Sequence, residues 1–235
     1  MRQFLGIIRF TFIAFWSIFA ITLSLFLRAI TGKRELPLTM ARTFWSPMIL
    51  FFAGAKVTVK GGENLDITKS YIFLSNHQSF LDIPVLFRNI PINLHFMGKS
   101  ELKKMPFIGW FMKSVGMVFV NRKDRSESMK SLQEAGHMIR NGKSLMIFPE
   151  GTRSVDGNIG EFKRGSFFVA KEAEVPIVPV YVRNARLVWP ASSLKLKSGQ
   201  VEIIIGKPVE PSEFKDQPVR VLSQTMLDKV SDLSH

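Results

Sequence analysis

The first 55 positions are predominantly apolar. From Phe10 to Leu27 there are 18 residues without a charge, FTFIAFWSIFAITLSLFL, bracketed by Arg9 and Arg28. As a helix this run is about 27 Å long at roughly 1.5 Å per residue, close to the ~30 Å hydrocarbon thickness of a bilayer. A second uncharged run, Thr43 to Ala55, has only 13 residues, which is short for a span and suits an interfacial or re-entrant helix. The two are expected to pair as a hairpin, either associated with a membrane or buried. The length of the first run, and Arg28, Lys33 and Arg34 directly after it, speak against a secretory signal. Basic residues flank it on both sides and give no orientation.

After Ala55 short β-branched runs alternate with amphipathic stretches. The pattern predicts strands at Lys56 to Lys60, Tyr71 to Ser75, Asn93 to Met97, Met117 to Asn121, Ser144 to Phe148, Ile177 to Val182 and Val201 to Ile205. Predicted helices are Ser79 to Arg88, Pro106 to Val115, Ser126 to Asn141, Glu161 to Glu172 and one within Ser212 to Leu233. The third is the best specified. Asp124 and Glu127 have the spacing of a capping box, Met129, Leu132 and Ile139 recur at helical spacing, and Gly142 is placed to end it. This alternation predicts an α/β fold with a mostly parallel sheet flanked by helices, preceded by a membrane-associated two-helix segment. Residues 1–55 are expected to form the hydrophobic anchoring helices, and residues 56–235 the α/β domain.

Composition narrows the chemistry. With 46% hydrophobic and 22% charged residues the 235-residue chain can bury a sizeable core. Its 32 Lys and Arg against 19 Asp and Glu give a net charge of +13, a surface that suits nucleic acid, anionic lipid or a phosphorylated small molecule. The 21 Phe and 4 Trp against 2 Tyr, with Phe crowded at the N-terminal end, favour lipid. The absence of Cys excludes disulfides, thiolate metal sites and a Cys nucleophile.

Polar motifs fall directly after predicted strands, where open α/β sheets bind ligands. They are Asn76-His77-Gln78-Ser79-Phe80-Leu81-Asp82, Arg122, and Pro149-Glu150-Gly151-Thr152-Arg153-Ser154. In a regular helix His77 and Asp82 would stand about 140° apart. To meet, His77 must lie in the turn before the helix and fold back. Asp82 then fixes one ring nitrogen and leaves the other free to take a proton. Without a G-x-S-x-G elbow, the nucleophile is expected to be a substrate hydroxyl. The plainer alternative is a helix-capping His77 and a solvated Asp82.

Arg122 and Arg153 are positioned to hold a phosphate, with Gly151 admitting backbone N–H groups and Lys99 and Lys163 as reserve cations. Glu150 is expected to order its loop, contact a substrate hydroxyl or pair locally with Arg153. His95, His137 and His235 lack ligand spacing to His77, so no metal is expected. Gly136 to Ser144 is one residue too long for a P-loop and runs from helix to strand. Arg164 to Val169 departs from an RNA-binding motif, so nucleic acid is not expected as a partner. Lys103, Lys104 and Lys113, set among Met105, Phe107, Trp110 and Met112, suit either a headgroup layer or an ordinary buried helix.

The chain resembles the glycerolipid acyltransferase family, and within it the bacterial 1-acylglycerol-3-phosphate acyltransferases. Four motifs carry the resemblance in the family's order. They are Asn76-His77 through Asp82, Gly116 through Arg122, Phe148-Pro149-Glu150-Gly151-Thr152-Arg153-Ser154 and Val175 through Val180. Lys99-Ser100-Glu101-Leu102 and Phe162-Lys163-Arg164-Gly165 resemble intervening family segments.

The resemblance implies transfer of a fatty acyl group from acyl-CoA or acyl-acyl carrier protein to the sn-2 hydroxyl of lysophosphatidate, giving phosphatidate. It makes His77 the general base held by Asp82. The acceptor phosphate would lie among Arg122, Arg153 and the Glu150-Gly151-Thr152 loop, and Val175 to Val180 would build the core or acyl site. No cofactor is expected. The partners are a membrane lipid surface and the two substrates, at the cytoplasmic face of a bacterial inner membrane. Glycerol-3-phosphate or another lysophospholipid as acceptor, a lipid hydrolase using the same pair, and a non-catalytic anionic-lipid binder remain alternatives.

Overall fold

In the computed structural model, residues 2–191, 193 and 196–235 are described. Seven strands form one sheet in the order β1-β7-β6-β2-β5-β3-β4. They are β1 (Ala55–Lys60), β2 (Ile72–Ser75), β3 (Leu94–Lys99), β4 (Val118–Val120), β5 (Ser144–Ile147), β6 (Ile177–Arg183) and β7 (Gly199–Ile205). Each expected strand is present with its ends within two residues. Every neighbouring pair is parallel except β6 and β7, where Val180 opposes Ile205 and Arg183 opposes Glu202.

The central strands are apolar on both faces because both faces are covered. On β2, Phe73 and the preceding Tyr71 enter one core while Ile72 and Leu74 enter the other. The first core also holds residues of α1 (Arg2–Thr31), α2 (Leu36–Met40), α3 (Ser46–Ala53), α4 (Asp82–Asn89), α5 (Ile108–Ser114) and α8 (Ala185–Val188). The second is covered by α6 (Arg125–Arg140), α7 (Gly165–Ala173), α9 (Pro211–Phe214) and α10 (Val219–Asp232). Leu132, Ala135, Met138 and Ile139 form the buried stripe of α6, and such aliphatic side chains contribute about 1.5–3 kcal/mol each when fully buried.

Helix starts differ from the sequence reading for tertiary reasons. Ahead of α4, the Gln78 and Ser79 amides donate to Asp82, and the Ser79 hydroxyl donates to the Trp189 carbonyl, so residues 78–81 form a loop. Helix α5 begins two residues late because Phe107 adopts φ +60°, outside the right-handed helical region. Residues 161–164 stay outside α7, since the Lys163 amide donates to the Pro149 carbonyl and the Phe162 carbonyl accepts from Ser223. Only half of the expected capping box forms on α6. Asp124 accepts from the Ser126 and Glu127 amides, whereas the Glu127 carboxylate accepts from Asn121 at 2.7 Å.

The two N-terminal apolar runs do pair. Helices α2 and α3 are joined through a wider five-residue turn, Ala41–Trp45, ahead of Pro47. The turn and α3 lie along α1 through Phe12 on Phe52, Trp16 on Phe44 and a Trp45 Nε1 to Ser17 hydrogen bond of 3.0 Å. Ile49, Leu50 and Ala53 of α3 are buried in the first core. Leu5–Thr31 of α1 is long and apolar enough to cross a membrane, with Phe15, Phe26 and Ile30 exposed along it.

Candidate active site

The strand that leads into the site is β2, at the centre of the sheet. The link from β2 to β3 passes through α4 on one face, and the link from β5 to β6 passes through α7 on the other. A crevice therefore opens beyond the carboxyl end of β2, as in other open α/β sheets. Asn76 braces this end by pairing with the Val182 backbone, accepting from its N–H at 2.8 Å and donating to its carbonyl at 3.0 Å.

His77 occupies the turn and folds back onto Asp82, the first residue of α4. Its Nδ1 lies 2.7 Å from Asp82 Oδ2. The same oxygen accepts the Gln78 amide at 2.7 Å and the Ser79 amide at 2.8 Å. Asp82 is fully buried, so this oxygen is fixed by three donors when Nδ1 carries the proton. The His77 ring stacks on Phe148, centroids 3.9 Å apart, and its side chain is 17% exposed. Its Nε2 has no protein partner among the described residues and is the nitrogen left to accept a proton.

The loop after β5 is fastened to the same turn. Glu150 accepts the His77 amide on Oε1 at 2.8 Å and the Gly160 amide on Oε2 at 2.8 Å, and the Ser154 amide donates to the His77 carbonyl at 2.7 Å. Glu150 thus orders two loops from inside. Burial pushes its carboxyl above the ordinary glutamate range, although the two amides and the His77 ring pull the other way.

The cations converge unevenly. Arg122 donates through Nη1 to the Gly151 carbonyl. The Arg153 guanidinium lies over the Phe80 ring, 3.8 Å from its centroid, an arrangement that fixes its plane and, among the described residues, leaves its N–H edge free. Partial desolvation lowers both guanidinium groups from their ordinary values, and Asp82 opposes this at Arg153; both remain cationic at neutral pH. Lys99 is the exposed last residue of β3, opposite Val120. Thr152 is exposed at the turn beside Gly151.

Gly151 sits at φ +75°, and a β-carbon there would come 2.8 Å from Lys163 Nζ and 3.2 Å from Arg122 Nη1. It keeps the cationic rim close to the backbone. Gly151→Ala is expected to raise the KM of an anionic acceptor severalfold and to destabilise the fold by about 1–2 kcal/mol. Steady-state kinetics and thermal melting of the variant check both. An unaltered KM would separate this glycine from anion binding.

Phe80, Phe148 and Trp189 are contacts that sequence reasoning did not assign. The first two stood within the quoted motifs, but nothing in their spacing told that one lies under Arg153 and the other against His77. Among the described residues, no three His, Asp or Glu side chains converge as a metal-ligating set.

The fold and this carboxyl-edge site define an α/β enzyme. A family model described as Acyltransferase matches residues 56–183, more than half of the chain. The chain belongs to that acyltransferase family. A 1-acyl-sn-glycerol-3-phosphate acyltransferase of Chlamydomonas reinhardtii is 38% identical over 69% of this chain and 49% of its own length. One of Saccharomyces cerevisiae is 35% identical over 86% of this chain and 67% of its own. The crystal structure of the 1-acyl-sn-glycerophosphate (LPA) acyltransferase PlsC from Thermotoga maritima superimposes with a TM-score of 0.81 at 28% identity, covering 99% of this chain and 96% of that one. The chain spans about half the length of the algal relative and of a chloroplast relative from Arabidopsis thaliana.

Proposed function

We propose that the protein transfers a fatty acyl group from a thioester donor, acyl-CoA or acyl-acyl carrier protein, to the sn-2 hydroxyl of 1-acylglycerol-3-phosphate, forming phosphatidate. The observation that carries this reading is the His77–Asp82 pair with a free Nε2, beside the Arg122, Gly151 and Arg153 rim. The names of the algal, yeast and bacterial relatives support the substrate class.

In this reading His77 Nε2 takes the proton of the acceptor hydroxyl as its oxygen attacks the thioester carbonyl. Collapse of the tetrahedral intermediate expels the thiolate, which receives that proton from His77. Asp82 holds the ring and stabilises the transient imidazolium. Because the donor is already activated, no acyl-enzyme is required. Arg122 and Arg153 neutralise the acceptor phosphate, with Lys99, Lys163 and the exposed Thr152 at the rim. Residues 1–55 serve as the membrane anchor, with part of α3 packed into the first core, and residues 56–235 as the catalytic domain. The expectation of a bacterial inner membrane gains no support from the algal and yeast relatives, and the proposal is limited to a membrane surface.

The test is thiol release from palmitoyl-CoA by detergent-solubilised protein with lysophosphatidate, glycerol-3-phosphate, lysophosphatidylcholine or no acceptor. Release that needs lysophosphatidate is expected. Release without acceptor would make the protein a hydrolase, and a preference for another acceptor would reassign the substrate.

Arg153→Ala is expected to weaken the acceptor by about 1–3 kcal/mol, the loss of one charged hydrogen bond. The effect should appear in acceptor KM, with donor KM little changed. An unchanged acceptor KM and rate would remove Arg153 from the phosphate site.

A further inference from the structure

A second cationic recess lies on the other side of the His77 turn. Arg122 and Gly151 follow β4 and β5, and Lys99 ends β3, all on one side of β2 in the sheet. On the opposite side β6, parallel to β2, ends at Arg183 and leads into α8, which carries Arg186. There a cleft of about 220 Å³ is lined by Gln78, Val155, Arg186, Pro190 and Lys197, among others. Gln78 places its wall next to His77 in the chain.

Two cations, Arg186 and Lys197, line the cleft. A β-carbon at Gly157 would come 2.3 Å from Arg186 Nε, so the glycine, at φ +93°, lets the guanidinium lie against the turn. The turn's own carboxylate, Asp156, is occupied by the Ser154 hydroxyl and by the Asn158 amide and side chain. Among the described residues neither Arg186 nor Lys197 is ion-paired to a carboxylate. Gln78 is pinned by its side-chain donation to the Val182 carbonyl at 2.8 Å. Both cations lie beyond residues 56–183, the segment matched by the family model.

Acyl transfer between a lysophospholipid and a thioester of phosphopantetheine brings two phosphorylated substrates to one histidine. Their phosphates repel and need separate counter-charges. With the acceptor phosphate on the Arg122 and Gly151 side, we propose that the Arg186–Lys197 cleft receives the phosphate of the phosphopantetheine donor. The proposal rests on the acyltransferase reading above for the identity of its ligand. The same phosphate is carried by CoA and by a phosphopantetheinylated carrier protein.

The double variant Arg186→Gln, Lys197→Gln, in the full chain in detergent, tests it. Its KM for palmitoyl-CoA is expected to rise at least about tenfold, while acceptor KM and kcat stay within about twofold. Equilibrium binding is measured in parallel with CoA, with holo carrier protein and with apo carrier protein as control. Loss of CoA binding in the variant supports the cleft with CoA as the source, and loss of holo carrier protein binding supports it with the carrier protein as the source. If the wild-type protein transfers no acyl group, the functional reading fails, while a binding difference between wild type and variant still supports the cleft. A shift in acceptor KM instead, an unchanged donor KM, or a wild-type protein that binds neither CoA nor holo carrier protein overturns the assignment.

Discussion

Replacing His77 by alanine is expected to lower turnover by at least about 10²-fold while the protein stays folded. The side chain supplies Nε2, the one ring nitrogen left without a protein partner, and no other histidine lies in the loops beyond β2 and β5. What the loop needs from this residue comes from its backbone. The His77 amide donates to Glu150 and its carbonyl accepts from Ser154, and an alanine keeps both. The substitution does remove the stack on Phe148, a cost of about 0.5–1.5 kcal/mol. Initial rates with palmitoyl-CoA and lysophosphatidate, set beside a thermal melt, separate the two effects. Near-normal turnover in a folded variant would sink the general-base assignment.

Asp82→Asn is expected to reduce kcat by about 10²- to 10⁴-fold with smaller changes in either KM. The buried carboxylate accepts the His77 Nδ1 proton and two amides on a single oxygen. An asparagine that keeps its oxygen toward the amides offers no negative charge to the imidazolium. One that turns its NH₂ toward His77 donates to Nδ1 and drives the proton onto Nε2, the nitrogen that must be empty. Asp82→Ala adds a structural penalty, because the Gln78 and Ser79 amides lose their buried acceptor at about 1–3 kcal/mol each. The asparagine variant should therefore melt closer to the wild type than the alanine variant while being as inactive. A full-rate asparagine variant would mean that the pair is a helix cap and nothing more.

The central strands β2, β5 and β6 were legible because burial on both faces leaves a short apolar run, whereas β1 and β7 were legible from alternation and β-branched residues. Angular arithmetic said that His77 must lie in the turn if it meets Asp82, since five helical residues cannot bring the two side chains together, and it left a helix-capping His77 open; the contact itself came from the structure. Less legible were the events that depend on distant partners. The delayed starts of α4 and α7 arise from hydrogen bonds to Trp189, Pro149 and Ser223, none of which is local. Glu150 beside Arg153 in sequence invited a local ion pair, but its carboxylate turns inward to two amides. Arg122 reaches Gly151, 29 residues on, and Arg153 finds Phe80; sequence proximity signals neither. The antiparallel entry of β7 is invisible to periodicity, which reads a strand but not its direction.

The pairing of β1 with β7 sets an order on how the chain comes together. Ala55 lies beside Gly199 and Lys60 beside Ile204, so β1 has only one neighbour in the sheet, and that neighbour is the strand farthest from it in chain order. Until β7 is made, β1 has an open edge on each side, directly after the most apolar segment of the chain. Closing so long a loop late is slow, and apolar surface left waiting is prone to association. During synthesis the apolar helices and β1 thus wait for a partner made much later, and a chain stopped before residue 199 lacks the strand that covers β1.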